Sequence, residues 1–167
     1  MTPTELQRRF ILQQGLPEPE PFTCSRQYSA LLFQPRVIGV LVSVGALAGA
    51  VPVFAGLAAA LFWSAALPRL SPFDATYNAL FAARTGQALG PAPGPRRFAQ
   101  ALAGALCAGI AAGLATRHTL AAHVLEGVLL AAVAMLVFGG FCFGSFVFHV
   151  LRGRARHALR TLPWAKG

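Results

Sequence analysis

Long uncharged runs alternate with short basic segments along this chain. The longest, Val37–Pro68, is thirty-two residues without a charge. As a single helix it would measure ~48 Å, well beyond the ~30 Å hydrocarbon core of a bilayer. Its middle reads Gly49-Ala50-Val51-Pro52, a stop for one helix and a start for the next. The run therefore divides into helices over about 36–49 and 52–67. Both are short for a full span, so a full hairpin, a shallow hairpin and one kinked helix all fit the pattern. Phe98–Thr116, nineteen uncharged residues, predicts a third apolar helix over 98–116. Gly127–Phe148, twenty-two uncharged residues, predicts a fourth over 120–151, whose run carries only Cys142 and Ser145 as polar side chains.

The polar stretches have their own signals. Thr2-Pro3-Thr4-Glu5 reads as a capping box opening a short helix to about Gln14. Leu6 and Phe10 share one side of it, beside Arg8 and Arg9. Two placements fit it: on the membrane surface, or docked on the protein itself. Pro17-Glu18-Pro19-Glu20-Pro21 is an extended spacer. Ser71-Pro72-Phe73-Asp74 predicts an N-capped interfacial helix over 72–86, with Phe73, Tyr77, Leu80 and Phe81 on its apolar face. The proline- and glycine-rich stretch 90–95 ends it as a stiff loop.

Composition turns these helices into a class. Hydrophobic residues make up 56% of the 167 and charged residues 11%, against roughly 25% charged in soluble domains. That is too little charge to cover a soluble surface. The fold class is an all-α integral membrane protein with four transmembrane helices in two hairpins and short interfacial amphipathic helices. Residues 1–35 form a cytoplasmic amino-terminal segment, 36–152 the membrane domain and 153–167 a basic cytoplasmic tail. No apolar leader precedes the first span, so no cleavable signal peptide is expected.

The net charge of +9 would suggest nucleic acid in a soluble protein. Here the arginines flank apolar runs, and no nucleic-acid partner is expected. With four spans, Arg8, Arg9, Arg26 and Arg36, then Arg69, Arg84, Arg96 and Arg97, then Arg152, Arg154, Arg156, Arg160 and Lys166 all fall on one side. Arg117 alone falls on the other. The positive-inside rule then places both termini in the cytoplasm of a bacterial inner membrane.

Gly45/Gly49, Gly109/Gly113 and Gly140/Gly144 are GxxxG pairs, the spacing that lets membrane helices approach closely. Cys142, Ser145 and His149 lie three and four residues apart, on one helix face. Cys107 and Cys142 each lie ten residues in from a basic boundary, at similar expected depth. They read first as small packing residues and alternatively as a thiol redox or sulfur-relay site. Cys24 reads as an ordinary cytoplasmic thiol. Glu126, with His123 on the same face, is a candidate intramembrane polar pair: satisfied at the interface, or a proton or ion relay. No third ligand accompanies it, and neither a metal nor a cofactor is expected. Walker, nucleophile-elbow and dinucleotide motifs are absent.

Arg69, Ser71 and Pro72, then Arg97, Phe98 and Ala99, then Phe141, Cys142 and Gly144 give a set of motifs. From about Arg36 to Arg152, the chain resembles the bacterial membrane-protein family called domain of unknown function 4395. The resemblance implies four helices with a Phe-Cys-x-Gly-Cys pattern near the end of the fourth. Ser145 stands where the second Cys of that pattern would be. A cysteine pair at that spacing could cycle between dithiol and disulfide, whereas Cys142 with Ser145 cannot. Some members resemble companions of sulfur-transfer or thioredoxin-like proteins.

These readings make an enzyme the lesser expectation. The primary one is an accessory or scaffold subunit of a membrane complex, partnered by the bilayer and by another membrane protein or further copies of itself. A thiol protein using Cys142 is the alternative, and a pathway at Glu126 a third.

Overall fold

The structure, a computed structural model, describes residues 3–165. Among them it is all-helical. Thr2, the expected N-cap of the capping box, and Lys166 lie outside the described residues.

Four helices build the centre: α3 (Phe33–Ala48), α4 (Val51–Ala66), α7 (Gly94–Ala115) and α8 (Thr119–Gly139). The first hairpin turns at Gly49, which caps α3 in the left-handed region at φ 58°, where glycine carries no Cβ penalty. Pro52 enters the first turn of α4. The expected division of the long uncharged run is therefore seen. Packing runs α3 to α4, α4 to α7, α7 to α8 and α8 back to α3, an up-down-up-down ring in which the α4–α7 contact is the most extensive. The shared core holds Ile38, Val42, Phe54, Leu61, Cys107, Ile110 and Leu129.

α2 (Cys24–Leu31) runs into α3, so the first apolar helix spans Cys24–Ala48, 25 residues, longer than the expected 36–49. The junction at Leu32 has a local cause. Pro35 has no N–H to give the Leu31 carbonyl, and the ladder resumes with Arg36 N–H on the Leu32 carbonyl at 3.1 Å. This helix, α7 and α8 are long and apolar enough to cross a membrane, whereas α4 is a shorter apolar helix.

The glycine pairs divide by role. A Cβ on Gly109 would meet Leu125 at 3.0 Å, and one on Gly113 would meet Ala122 at 3.2 Å, so both seat α7 on α8. Gly45 faces the Phe54 ring, but its partner Gly49 is a helix cap with open space around it. Gly140 is also a cap, ending α8 at φ 62°, but it is a close-packed one: a Cβ there would meet the Leu6 side chain at 2.7 Å. GxxxG spacing alone does not separate packing from capping.

The fourth helix differs most from expectation. In place of one element over 120–151 there are two, α8 and α9 (Phe143–Leu151), separated at 140–142. The N–H groups of Gly140 and Phe141 both reach back to the Met135 carbonyl, the second at 3.2 Å, so the helix ends in a turn wider than its i→i−4 ladder. α9 then packs along the first turns of α7. Gly144 sits on Ala99, and the Phe148 ring lies on Gly94 and 5.9 Å from the Phe98 ring.

The remaining elements cap this end of the bundle. α1 (Pro3–Gln13) is docked on the protein, with Phe10 and Ile11 buried against Cys24, Leu31 and Leu32. The carboxyl end, with α10 (Ala155–Arg160), folds onto α1, where Arg9 donates to the Leu162 and Ala165 carbonyls at 3.2 and 2.6 Å. α5 (Pro72–Tyr77) continues through a π turn, Asn78–Ala82, into α6 (Ala83–Thr85). Phe73 and Tyr77 are buried as expected, but Leu80 is exposed, because the extra residue in the π turn rotates it off the face. The side chain of Asn78 brackets Leu89 with bonds of 2.8 and 2.9 Å and fixes the loop that returns to α7.

Candidate site at the basic end of the bundle

Ser71 is the N-cap of α5 and accepts from the Asp74 N–H at 3.4 Å. Pro72 takes the first helical position. This cap aims Asp74 into the bundle, where it meets Arg96 of α7 at 2.5 Å, both side chains under a tenth exposed. Arg96 also donates to Gln34 Oε1 at 3.0 Å, and Gln100 Nε2 donates to the same oxygen at 3.0 Å. Asp74 is the sole acid between Glu20 and Glu126, and a buried carboxylate demands a cation. That was the available sequence signal for Arg96. The roles of Gln34 and Gln100 had none. Arg97 turns the other way and donates to the Ala65 carbonyl at 2.7 Å, closing the end of α4. Arg69 lies exposed in the 3-10 turn 68–70.

Beside this network lies a cavity of about 250 Å³. Its apolar walls come from α3, α7 and α8, and its polar end from Gln14, Gln34, Arg96 and Gln100. Cys142, Phe143 and Gly144 of the α8–α9 break line it as well.

Cys142, Ser145 and His149 all face the end of α1. The Cys142 N–H donates to Gln13 Oε1 at 2.9 Å, Ser145 Oγ donates to Gln14 Oε1 at 3.4 Å, and His149 Nε2 meets the Gln13 carbonyl at 3.1 Å. The carbonyl only accepts, so Nε2 carries the proton and Nδ1 is left as a buried, unpartnered acceptor. Phe141 anchors the same corner against Phe146 and Trp164. The two candidate thiols lie in different surroundings. Cys107 is in the core with Ile110 and Leu129, whereas Cys142 is at the break against Gln13. Both are buried thiols, and no disulfide joins them. Cys24, expected as an ordinary cytoplasmic thiol, is buried under α1.

His149 lies outside the long apolar helices, and burial holds its imidazole below the ordinary histidine range, helped by the nearby His157 and Arg154 charges against the bond to Gln13. A lowered value means that the folded state binds fewer protons than the unfolded one. The associated stability is thus present above about pH 6.5 and is lost as pH falls through the folded value. The expected result is a melting temperature of the detergent-solubilised protein that drops from pH 7 to pH 5, with a smaller drop in His149→Gln. An equal drop in both would assign the acid sensitivity elsewhere.

At the opposite end of α8, His123 Nδ1 meets Glu126 Oε2 at 2.8 Å. Glu126 is buried and its Oε1 has no partner, while His123 is exposed. No group of three metal-ligating residues occurs among the described residues.

The family described as domain of unknown function (DUF4395) matches residues 29–153. The match spans the bundle, the Asp74–Arg96 network and α9, and leaves α1 outside. No curated protein and no solved structure matches the chain.

Proposed function

The chain belongs to the DUF4395 family, and from that premise we propose that it is an accessory or scaffold subunit of a membrane complex. In this reading α3, α4, α7 and α8 are four spans of a bacterial inner membrane, with both termini in the cytoplasm. Support for the topology comes from the antiparallel order of the four helices, which puts α1, α10 and twelve of the thirteen arginines at one end. α4, 16 residues long, reaches only ~24 Å, and Arg97 on the Ala65 carbonyl extends its polar end toward the interface.

One observation carries the non-catalytic reading. The groups that could do chemistry at the basic end hold elements together instead. The amide of Cys142, Ser145 and His149 engage α1, and Asp74 with Arg96 ties α5 to α7. What this end offers a partner is a rigid cytoplasmic cap made from α1, α9 and the tail. Arg152, Arg154, Arg156 and Arg160 stand exposed there, a surface for anionic headgroups or an acidic partner.

The test is extraction in mild detergent through a tag on the carboxyl end, followed by native gels and mass spectrometry. The expected result is a stoichiometric complex larger than the chain, with the tag shielded from protease in intact spheroplasts. A lone monomer would remove the scaffold reading, and a protease-accessible tag the topology.

A second reading has its own observation. Glu126 is a buried carboxylate with one unpartnered oxygen and an exposed histidine beside it, as a proton-exchanging pair would be. Unchanged proton flux in Glu126→Gln proteoliposomes would exclude it. The thiol reading is weakened by the different surroundings of Cys107 and Cys142 and by Ser145.

A further inference from the structure

The cavity beside the Asp74–Arg96 pair has a polar end that offers donors. Arg96 spends Nη2 on Asp74 and on Gln34 Oε1, which leaves Nε and Nη1 without a partner. Gln34 Oε1 also accepts from Gln100, and Gln14 Oε1 accepts from Ser145, so both Gln34 and Gln14 keep a free NH2 group. The buried, unpartnered side-chain atoms among the described residues are Gln13 Nε2, Asp74 Oδ2, Gln100 Oε1, Glu126 Oε1 and His149 Nδ1. The free nitrogens of Arg96, Gln34 and Gln14 are not among them, so they keep surface that solvent can touch. All three side chains line the cavity and are otherwise buried, at 6%, 4% and 4% exposed. The side-chain acceptors at this end are spent or sealed: Gln100 Oε1 is closed off, and Asp74 is not part of the walls.

A helix end reinforces these donors. Cys142, Phe143 and Gly144 also line the cavity, at the start of α9. Cys142 offers no side-chain cap, so the N–H groups of Phe143 and Gly144 have no intrahelical partner. The amino end of a helix favours negative charge. A carboxylate answers this set: it only accepts, with two oxygens and about four lone-pair sites, and it carries the charge that Arg96 and the end of α9 stabilise. A hydroxyl or an ester carbonyl uses fewer of the donors and lacks the charge.

The rest of the cavity specifies an aliphatic chain. Ala99, Ala103, Leu106, Leu129, Ala132 and Val133 are among its walls, and apolar walls hold no ordered water. Arg96 and Leu106 both line it from α7, and that separation is ~15 Å along the helix axis. About 250 Å³ over that length is the width of one chain, not of two. Val128 is 50% and Phe143 53% exposed, so the space opens sideways, onto hydrocarbon in the membrane reading. We propose that this cavity binds a long-chain fatty acid, its carboxylate held by Arg96, Gln34, Gln14 and the first N–H groups of α9, and its chain leaving between α7 and α8. The site rests on the membrane reading for the chain's exit and not on the scaffold role, since every wall comes from this one chain.

The test uses the full chain in an uncharged detergent and a fatty acid with a photoreactive group in its chain. Labelling should map to α7 or α8 at the cavity and be competed by palmitate. Methyl palmitate, hexadecanol and a prenyl quinone lack the carboxylate and should compete roughly ten-fold less well. Gln14→Leu should weaken competition by palmitate roughly two- to ten-fold. Asp74→Leu combined with Arg96→Met removes the cation together with its counter-charge, and should erase the preference for palmitate over its methyl ester. Ala103→Phe, which fills the space, should abolish labelling, whereas Leu47→Phe, on the exposed side of α3, should label as the parent does. Ala132→Phe fills the cavity from the opposite wall, and its melting temperature separates a filled site from a misfolded protein. Competition by the methyl ester, the alcohol or the quinone equal to that of palmitate would overturn the proposal. So would labelling that persists in a folded Ala103→Phe or Ala132→Phe protein, or a preference for palmitate that survives in the folded double variant. None of these outcomes turns on a partner or on which side the tag lies, so the site and the scaffold reading fail separately.

Discussion

Asp74→Ala is expected to cost about 3–5 kcal/mol of stability, because it leaves the Arg96 guanidinium buried without its counter-charge. By the scaling for soluble domains of this size, that lowers the melting temperature by roughly 6–20 °C. The three buried cysteines supply the readout, since a thiol-reactive fluorogenic dye reports their exposure on heating. Arg96→Ala should cost a similar amount, for Asp74 already lacks a partner at Oδ2. Asp74→Leu with Arg96→Met should recover most of the loss, because removing both charges removes the desolvation they suffer together. A single-variant cost below about 1 kcal/mol would mean that Arg96 swings its head to the interface once released, and the pair would then be an ornament of the fold, not a tie within it.

Gly144→Val is expected to open the cap while leaving the four-helix bundle intact. A Cβ at Gly144 would lie 2.7 Å from the Cα and Cβ of Ala99. One of those atoms is backbone of α7, so no rotamer change relieves the clash. α9 must lift, and with it go the bonds from Cys142, Ser145 and His149 to Gln13 and Gln14. Overpacking of this kind costs on the order of 1–3 kcal/mol, and local opening rises about ten-fold for each 1.4 kcal/mol. In a Cys24→Ala background, Cys142 should therefore react faster with a membrane-impermeant maleimide by about that factor, while Cys107, in the bundle core, stays slow. Equal acceleration at both thiols would show that the whole bundle loosened and that α9 is no separate unit.

The four apolar helices were legible because hydropathy integrates over many residues, and errors at single positions cancel. The ends of those helices were less so. The start of the first apolar helix lay hidden behind Arg26 and Arg36, which count against a membrane segment, yet the helix runs on past both. The break at Gly140 falls inside an uncharged run, so a scale that sees only polarity passes over it. Gly140, next to Gly139, was the one hint, and paired with Gly144 it read as helix packing. At the candidate site the balance is similar. Helical spacing puts Ser145 and His149 on one face of α9, whereas Cys142 precedes that helix and joins them through its backbone N–H. Their partners Gln13 and Gln14 lie some 130 residues away in sequence, and local pattern cannot pair them. The relay from Arg96 through Gln34 to Gln100 needs α3 and α7 side by side before it exists at all.

The clasp between the two ends of the chain also sets an order of events during synthesis. Arg9 waits for the carbonyl of Leu162, 153 residues later, and at ~5–20 residues per second the wait is on the order of ten seconds. Until residue 149 is made, Gln13 and Gln14 also lack the partners that the last helices bring them. Closure of the clasp thus comes late in biogenesis, once Leu162 and Ala165 have been made. A nascent chain arrested before residue 140 should keep its amino-terminal helix open to chaperones, protease or an assembly partner, and the finished protein should not.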